Sequence, residues 1–95
     1  MATVSLGDFE WDDGKAHANV RKHGVGFIEA LSCFLDGQAI SAPDKDDSAR
    51  FVLIGMSKQG RVLFVVSAER AERLRIISAR RASPQQRKMY EHGPK

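Results

Sequence analysis

Residues 50–80, RFVLIGMSKQGRVLFVVSAERAERLRIISAR, contain three apolar runs separated by two short polar segments. Runs of Val, Ile, Leu and Phe that are bounded by turn residues are typical of β-strands. We therefore predict strands over residues 50–57, 62–68 and 73–80. Gly60 lies in the first connection and both connections are short, which favours hairpins and hence an antiparallel meander.

Alternation along the third of these strands predicts which side chains meet the core. Leu74, Ile76 and Ser78 fall on one face, which we expect to pack against helices. The other face then carries Arg73, Arg75, Ile77, Ala79 and Arg81. The middle strand is apolar on both faces, so we expect the C-terminal helix to cover part of the arginine face and to leave a cleft there.

The first half of the chain carries the signals of two helices and two further strands. Residues 9–11 look like the end of a short first strand, with residues 1–8 an N-terminal extension or part of that strand. Asp12 is a typical N-cap for a helix that ends near His23, and Gly24 suits the left-handed position after it. Apolar residues spaced by three and four predict a second helix over 25–35, and a short strand follows at 38–42.

The last residues carry a helix-start signal. Ser83, Pro84 and Gln86 match a capping box with proline at the first helical position, which predicts a helix over 84–92. The element order β, α, α, β, β, β, β, α predicts an α+β fold: a curved antiparallel sheet with two N-terminal helices packed on it and a C-terminal helix. With 95 residues, the chain has room for one domain, residues 1–95.

Composition excludes several classes of protein. No apolar run is long enough to span a bilayer and the first residues do not resemble a signal peptide, so we expect a cytoplasmic protein with no membrane partner. The one cysteine, Cys33, is expected to be a buried apolar residue. Asp44, Asp46 and Asp47 resemble part of a calcium loop but lack its glycine and closing glutamate, and we predict neither a metal nor a cofactor.

Charge divides the chain into two halves. Residues 1–49 contain four Lys or Arg and nine Asp or Glu, which gives −5, whereas residues 50–95 contain eleven and three, which gives +8. Eight of these eleven cations are arginines, and many of those lie on neighbouring predicted strands. Such a surface attracts polyanions, and nucleic acid is the first candidate. The alternative for any single arginine is that it only solubilises an exposed strand.

Three motifs at fixed separations resemble the BrnT toxin family. They are FEWD at residues 9–12, KHGV at 22–25 and RIISAR at 75–80, with Lys15, Asn19 and Tyr90 between and after them. The resemblance covers nearly all of the chain after Asp8. It implies a RelE-like fold, metal-independent RNA cleavage that arrests translation, and neutralisation by a BrnA-type antitoxin. Such antitoxins are ribbon-helix-helix proteins, and the complex binds operator DNA to repress its own operon.

The chain departs from this family at two places. Relatives carry His or Tyr followed by Thr on the central strand, where this chain has Ser67 and Ala68, and Glu in the last helix, where it has Gln86. Neither Ser67 nor Gln86 titrates near neutral pH, so neither acts as a proton-transfer base. If those family positions transfer protons, this chain is expected to cleave slowly or to use other residues.

Metal-free RNA cleavage needs a base for the ribose 2′-hydroxyl, an acid for the leaving 5′-oxygen and a cation for the charge that develops on the phosphate. Arginine suits the last role because its fork matches phosphate oxygens, and we take Arg80 as the first candidate and Arg70 as the second. RelE-like sites combine sheet cations with a residue near the C-terminus, which adds Tyr90, although its ring also suits packing on the sheet. His23 is a candidate acid or base, but capping of the first helix explains it fully.

Five further cations are predicted to position RNA: Lys58, Arg61, Arg73, Arg75 and Arg81. Two other functions remain open at this point. One is a basic module that binds RNA or DNA without cleaving it. The other is a pure interaction protein whose basic face receives an acidic segment of the antitoxin.

Overall fold

A six-stranded sheet carries the helices of this protein, which we describe over residues 2–93 from a computed structural model. The elements are β1 (Thr3–Leu6), β2 (Phe9–Asp12), α1 (Asp13–His23), α2 (Phe27–Ser32), β3 (Ile40–Pro43), β4 (Arg50–Met56), β5 (Val62–Arg70), β6 (Arg73–Arg81) and α3 (Pro84–His92). A 3₁₀ turn, Cys33–Leu35, follows α2 directly. The α+β class expected from the sequence is confirmed. No helix of the described part of the chain is long and apolar enough to cross a membrane.

The strand order is β1-β2-β6-β5-β4-β3. Strands β3 to β6 form the predicted antiparallel meander. The expectation of a wholly antiparallel sheet was wrong, because β2 lies parallel to β6, with Phe9 beside Leu74 and Glu10 beside Arg75. Turn signals report only on strands that follow one another in sequence, whereas β2 and β6 are joined by the whole middle of the chain. The N-terminal residues also form a strand of their own, since β1 pairs with β2 through a turn in which Gly7 has φ 60°.

Local capping sets the ends of the helices. Asp12 accepts a hydrogen bond from the Lys15 N–H at 2.9 Å, and Gly24 adopts φ 69° at the end of α1, both as predicted. The second helix is shorter than predicted, because residue 26 has extended backbone and the chain tightens into a 3₁₀ turn at Cys33. At Gly55 an added Cβ would lie 3.1 Å from the Cys33 carbonyl oxygen, so this turn is packed directly against β4.

The core lies between one face of the sheet and the helices. Val65 and Ala79 pair across β5 and β6 and are fully buried there. Asn19 of α1 joins this face, since its side-chain Nδ2 donates to the carbonyls of Val25 and Ala79 at 2.8 Å each and its Oδ1 accepts from the Ala79 N–H. The two bonds to Ala79 hold α1 against β6, and the bond to Val25 holds the segment that follows α1; each would leave a buried backbone group unpaired if broken.

A β-bulge in β6 changes the faces predicted from simple alternation. Ser67 pairs with Ile76 and Val66 pairs with Ser78, so Ile77 is an extra residue between them. From this point the face of each side chain is reversed. The predicted faces of the end of β6 were therefore wrong: Ala79 enters the core, and Arg80 rather than Arg81 emerges on the arginine face.

Candidate nucleic-acid interface

The sheet face turned away from α1 and α2 has an apolar floor with one arginine on each side of it. Val52 and Val66 pair at its centre, with Ser78 beside Val66, and all three side chains are partly exposed. Arg80 stands two register pairs away on the same face, beside Phe64. Arg75 stands on the other side of the floor, across from Ala68. Bases can lie on such a floor while phosphates reach the cations at its edges.

Arg80 is held in place by contacts on two sides. Its guanidinium carbon lies 4.3 Å from the centroid of the Phe64 ring, a cation–π contact. Its Nη1 donates to the Gln86 Oε1 and to the Arg81 carbonyl, both at 3.1 Å. The same Gln86 oxygen accepts from the Ser83 N–H at 2.9 Å, so the capping box that starts α3 also orients Arg80. Among residues 2–93, the hydrogen bonds of Arg80 use Nη1 alone, and Nε and Nη2 are available to an anion.

A second cationic surface lies where β6 leads into α3, with Arg81 next to Arg80 in sequence but on the opposite face of β6. Arg61, Arg81 and Arg87 line a concavity of about 200 Å³ together with residues 60, 62 and 82. Arg81 and Arg87 are exposed, so both side chains can turn toward a phosphate. Sequence reasoning assigned RNA positioning to Arg61 and Arg81, but gave Arg87 no role beyond the general excess of arginines. The signal for Arg87 is its place in the first turn of the capped helix.

Arg61 is already bound within the protein. Its Nε donates to the Glu29 Oε2 at 2.9 Å and its Nη2 donates to Glu29 Oε1 and to the Gly24 carbonyl. The Ser57 hydroxyl donates to the same carboxylate at 2.7 Å. The Arg61 hydrogen bonds are the main cause of the lowered pKa of Glu29, against the opposing effect of burial. The structure therefore gives Arg61 a bridging role between α2 and the β4–β5 turn.

The remaining predicted cations lie away from Arg80. Arg75 Nε donates to Glu10 at 2.9 Å, which closes an ion pair across the parallel β2–β6 contact. Arg70 and Arg73 face each other at the exposed turn between β5 and β6. Six residues of strand separate Arg70 from Phe64, the partner of Arg80, so the two arginines stand about 20 Å apart along the sheet. They cannot act on the same phosphate.

Tyr90 lies on α3, but its hydroxyl is engaged elsewhere. It donates to the Asp36 carboxylate at 2.6 Å, and the Met56 N–H donates to the same Oδ2 at 2.8 Å. The Tyr90 hydrogen bond is the main cause of the lowered pKa of Asp36, and it raises the pKa of Tyr90 to about 12. This pair fastens the end of α3 to the loop before β3. The structure thus brings Gln86, rather than Tyr90, to Arg80.

Three other residues singled out from the sequence lie on the helix side of the sheet. His23 ends α1, which packs on the face opposite Arg80. Lys58 is exposed in the β4–β5 turn, where its N–H donates to the Ser32 hydroxyl. Ser67 is buried and lines a pocket next to Phe34, so its departure from the family pattern does not touch the arginine face.

Replacing Tyr90 with phenylalanine is expected to lower the free energy of unfolding by about 1 kcal/mol, because Asp36 loses a hydrogen bond. The raised pKa of Tyr90 contributes stability below its unfolded value near pH 10, and this contribution is lost as the pH rises toward about 12. The lowered pKa of Asp36 contributes stability above about pH 4, and this contribution is lost as the pH falls. Urea unfolding across this pH range should therefore give a flatter profile for the variant. An unchanged profile would mean that the Tyr90–Asp36 bond does not hold α3.

Residues 11–86 match the family described as ribonuclease toxin, BrnT, of type II toxin-antitoxin system. No curated protein matches the chain. The 1.1 Å crystal structure of the Brucella abortus ribonuclease toxin BrnT is similar, with a TM-score of 0.65 and 29% identity over 77% of this chain and 92% of that one. The matched segment includes Arg80 and Gln86, whereas Arg87 and Tyr90 lie beyond it.

Proposed function

Because this chain belongs to the BrnT family of ribonuclease toxins of type II toxin–antitoxin systems, we propose that it is a metal-independent endoribonuclease whose cleavage site is the end of β6. The observation that carries this proposal is Arg80. Its guanidinium is fixed by Phe64 and Gln86, while Nε and Nη2 are available on an open sheet face. A fixed donor pair costs no reorganisation when charge builds up on a phosphate.

The proposed reaction is a transfer within the RNA strand. The ribose 2′-hydroxyl gives its proton to a solvent water as its oxygen attacks the adjacent phosphorus. The bond to the 5′-oxygen of the next nucleotide breaks, that oxygen takes up a proton from water, and a 2′,3′-cyclic phosphate is left. Arg80 binds the phosphate oxygens that gain negative charge between these events. Arg81 and Arg87 bind neighbouring phosphates in the concavity where β6 leads into α3 and so keep the scissile bond next to Arg80.

The test is cleavage of a defined RNA by the purified, antitoxin-free protein in excess EDTA. We expect fragments that end in a 2′,3′-cyclic phosphate or its hydrolysis product, at a rate that is the same with and without the chelator. Loss of cleavage in EDTA that Mg²⁺ restores would contradict the metal-independent route. The same preparation should slow translation in a cell-free reaction programmed with that RNA.

A second candidate function is RNA binding without cleavage, and one observation favours it. The side chain that orients Arg80 is the neutral amide of Gln86, which cannot transfer a proton. Among residues 2–93, the other contacts of Arg80 are the Phe64 ring and a backbone carbonyl, and neither transfers a proton. Tight, salt-dependent RNA binding with no product after prolonged incubation would decide for this candidate.

Membership of the family implies an antitoxin as partner and RNA as target. We propose that the antitoxin is of the BrnA type, a ribbon-helix-helix protein, and that this chain reaches operator DNA only through that complex. We also assign the sheet to the RelE-like class. In support, the chain has the mixed architecture described above and is similar to a solved BrnT toxin.

A further inference from the structure

The helix side of the protein carries an open apolar groove, opposite the arginine face. Leu6, Ile28 and Leu35 border it, and their side chains are 50%, 61% and 77% exposed. Phe9 and Leu31 form its floor, and the groove has a volume of about 490 Å³. These residues come from the β1–β2 hairpin, α2 and the 3₁₀ turn, so three separate parts of the fold contribute apolar side chains to one surface. Clustered exposure of this kind marks interaction sites.

The groove continues into a smaller apolar pocket. Phe9 contacts Phe34, with ring centroids 5.1 Å apart. Phe34 in turn lines a pocket of about 180 Å³ with Phe51 and Leu74, among others. Leu74 is also the register partner of Phe9 across β2 and β6. The Phe9–Phe34 contact and the Phe9–Leu74 pairing thus place the pocket next to the groove.

Charges differ between the two ends of this surface. Asp8 lines both the groove and a neighbouring concavity next to Leu74, where Glu69 and Glu72 join it and Arg73 is the one cation among the lining residues. Lys58 lies in the groove itself. Carboxylates around an apolar surface repel RNA, and they favour a protein segment with cations at this end.

We propose that this groove is the docking site for an amphipathic helix of the antitoxin, with large apolar residues at helical spacing and Lys or Arg at the end that meets Asp8 and Glu72. The identification of the partner as the antitoxin rests on the proposed function, whereas the description of the groove does not depend on it. A helix places apolar side chains at i, i+3, i+4 and i+7 on one face, which suits an elongated groove with an apolar floor. Docking here leaves Arg80 exposed, so this contact anchors the antitoxin and does not by itself cover the cleavage site.

The experiment measures the affinity of the purified cognate antitoxin for toxin variants by calorimetry. Ile28→Gln combined with Leu35→Gln is expected to weaken binding by about 100-fold, since anchor residues of an interface dominate its affinity. The matched control is Val20→Gln, because Val20 is 50% exposed on α1 but does not line the groove. We expect that control to bind within twofold of the unmodified protein. Wild-type affinity in the double variant would overturn the proposal.

Three further measurements separate the alternatives. Asp8→Asn combined with Glu72→Gln should weaken antitoxin binding several-fold at low salt and less at high salt, and an unchanged affinity would overturn the cationic character assigned to the partner. RNA cleavage by the antitoxin-free Ile28→Gln, Leu35→Gln variant should equal that of the unmodified toxin. If neither protein cleaves RNA while the affinities differ as expected, the proposed function fails and the docking site stands. If the unmodified toxin forms a dimer and the Ile28→Gln, Leu35→Gln variant does not, the groove binds a second copy of the toxin. That result would overturn the proposal.

Discussion

Replacement of Arg80 with alanine is expected to lower the single-turnover RNA cleavage rate by about 100-fold or more, with a much smaller loss of RNA affinity. The guanidinium meets the phosphate most strongly when negative charge has built up, so its removal affects the transition state more than the bound RNA. Lysine at this position should recover little of the rate, because it keeps the charge but loses the planar fork that Phe64 and Gln86 hold.

Stability and two control variants make this expectation specific. Arg80→Ala removes one cation–π contact and two hydrogen bonds of a partly buried side chain, so the free energy of unfolding should fall by about 2 kcal/mol and the protein should stay folded. Arg70→Ala should cleave normally, since Arg70 stands about 20 Å away along the sheet. Arg81→Ala should weaken RNA binding and reduce the slope of log affinity against log salt by about one. Near-normal cleavage by Arg80→Ala would contradict the catalytic assignment.

Breaking the Glu29–Arg61 ion pair is expected to have the largest effect on stability. The Glu29 and Arg61 side chains are 5% and 24% exposed, and removal of one partner leaves the other charge partly buried without compensation. Arg61→Ala or Glu29→Ala alone should each cost about 3 kcal/mol. The double replacement should cost less than the sum of the two single changes, because it leaves neither charge unpaired.

The matched control for this pair is Arg50→Ala. Arg50 contacts Asp47 at 3.5 Å, but both side chains are more than 40% exposed, so its loss should cost less than about 0.5 kcal/mol. The free energy of unfolding of the four variants and of the unmodified protein is measured by urea unfolding followed by circular dichroism. An equal loss of unfolding free energy in Arg50→Ala and Arg61→Ala would contradict the structural role of Arg61. An Arg61→Ala protein with unchanged stability and weakened RNA affinity would show instead that Arg61 binds RNA.

The pH dependence of stability gives an independent check on Glu29. Its pKa is lowered in the folded protein, chiefly by the Arg61 hydrogen bonds. A carboxyl with a lowered folded pKa contributes stability above its unfolded value of about 4.3 and loses that contribution as the pH falls through the folded value. The difference in unfolding free energy between the unmodified protein and Glu29→Ala should therefore be largest at neutral pH and decrease below about pH 4.

Several features of this protein follow from the sequence alone. Asp12, Gly24 and Ser83 set helix ends through hydrogen bonds that span only a few residues, and they occupy the positions predicted for them. The strands of the meander were predicted for the same reason, since short connections limit which neighbours can pair. The family motifs likewise identified the class of ribonuclease toxin before any geometry was known. Each of these signals involves residues that are close in sequence, so it can be recognised without the folded structure.

Other features depend on contacts between distant parts of the chain. The pairing of β2 with β6, the engagement of Arg61 by Glu29 and the face on which Arg80 emerges were decided only in the folded protein. The bulge at Ile77 illustrates the reason, because one extra residue reverses every later side chain and nothing in the alternation of β6 reveals it. The sequence therefore determined that arginines crowd these strands, whereas tertiary packing determined which are bound within the protein and which can meet RNA.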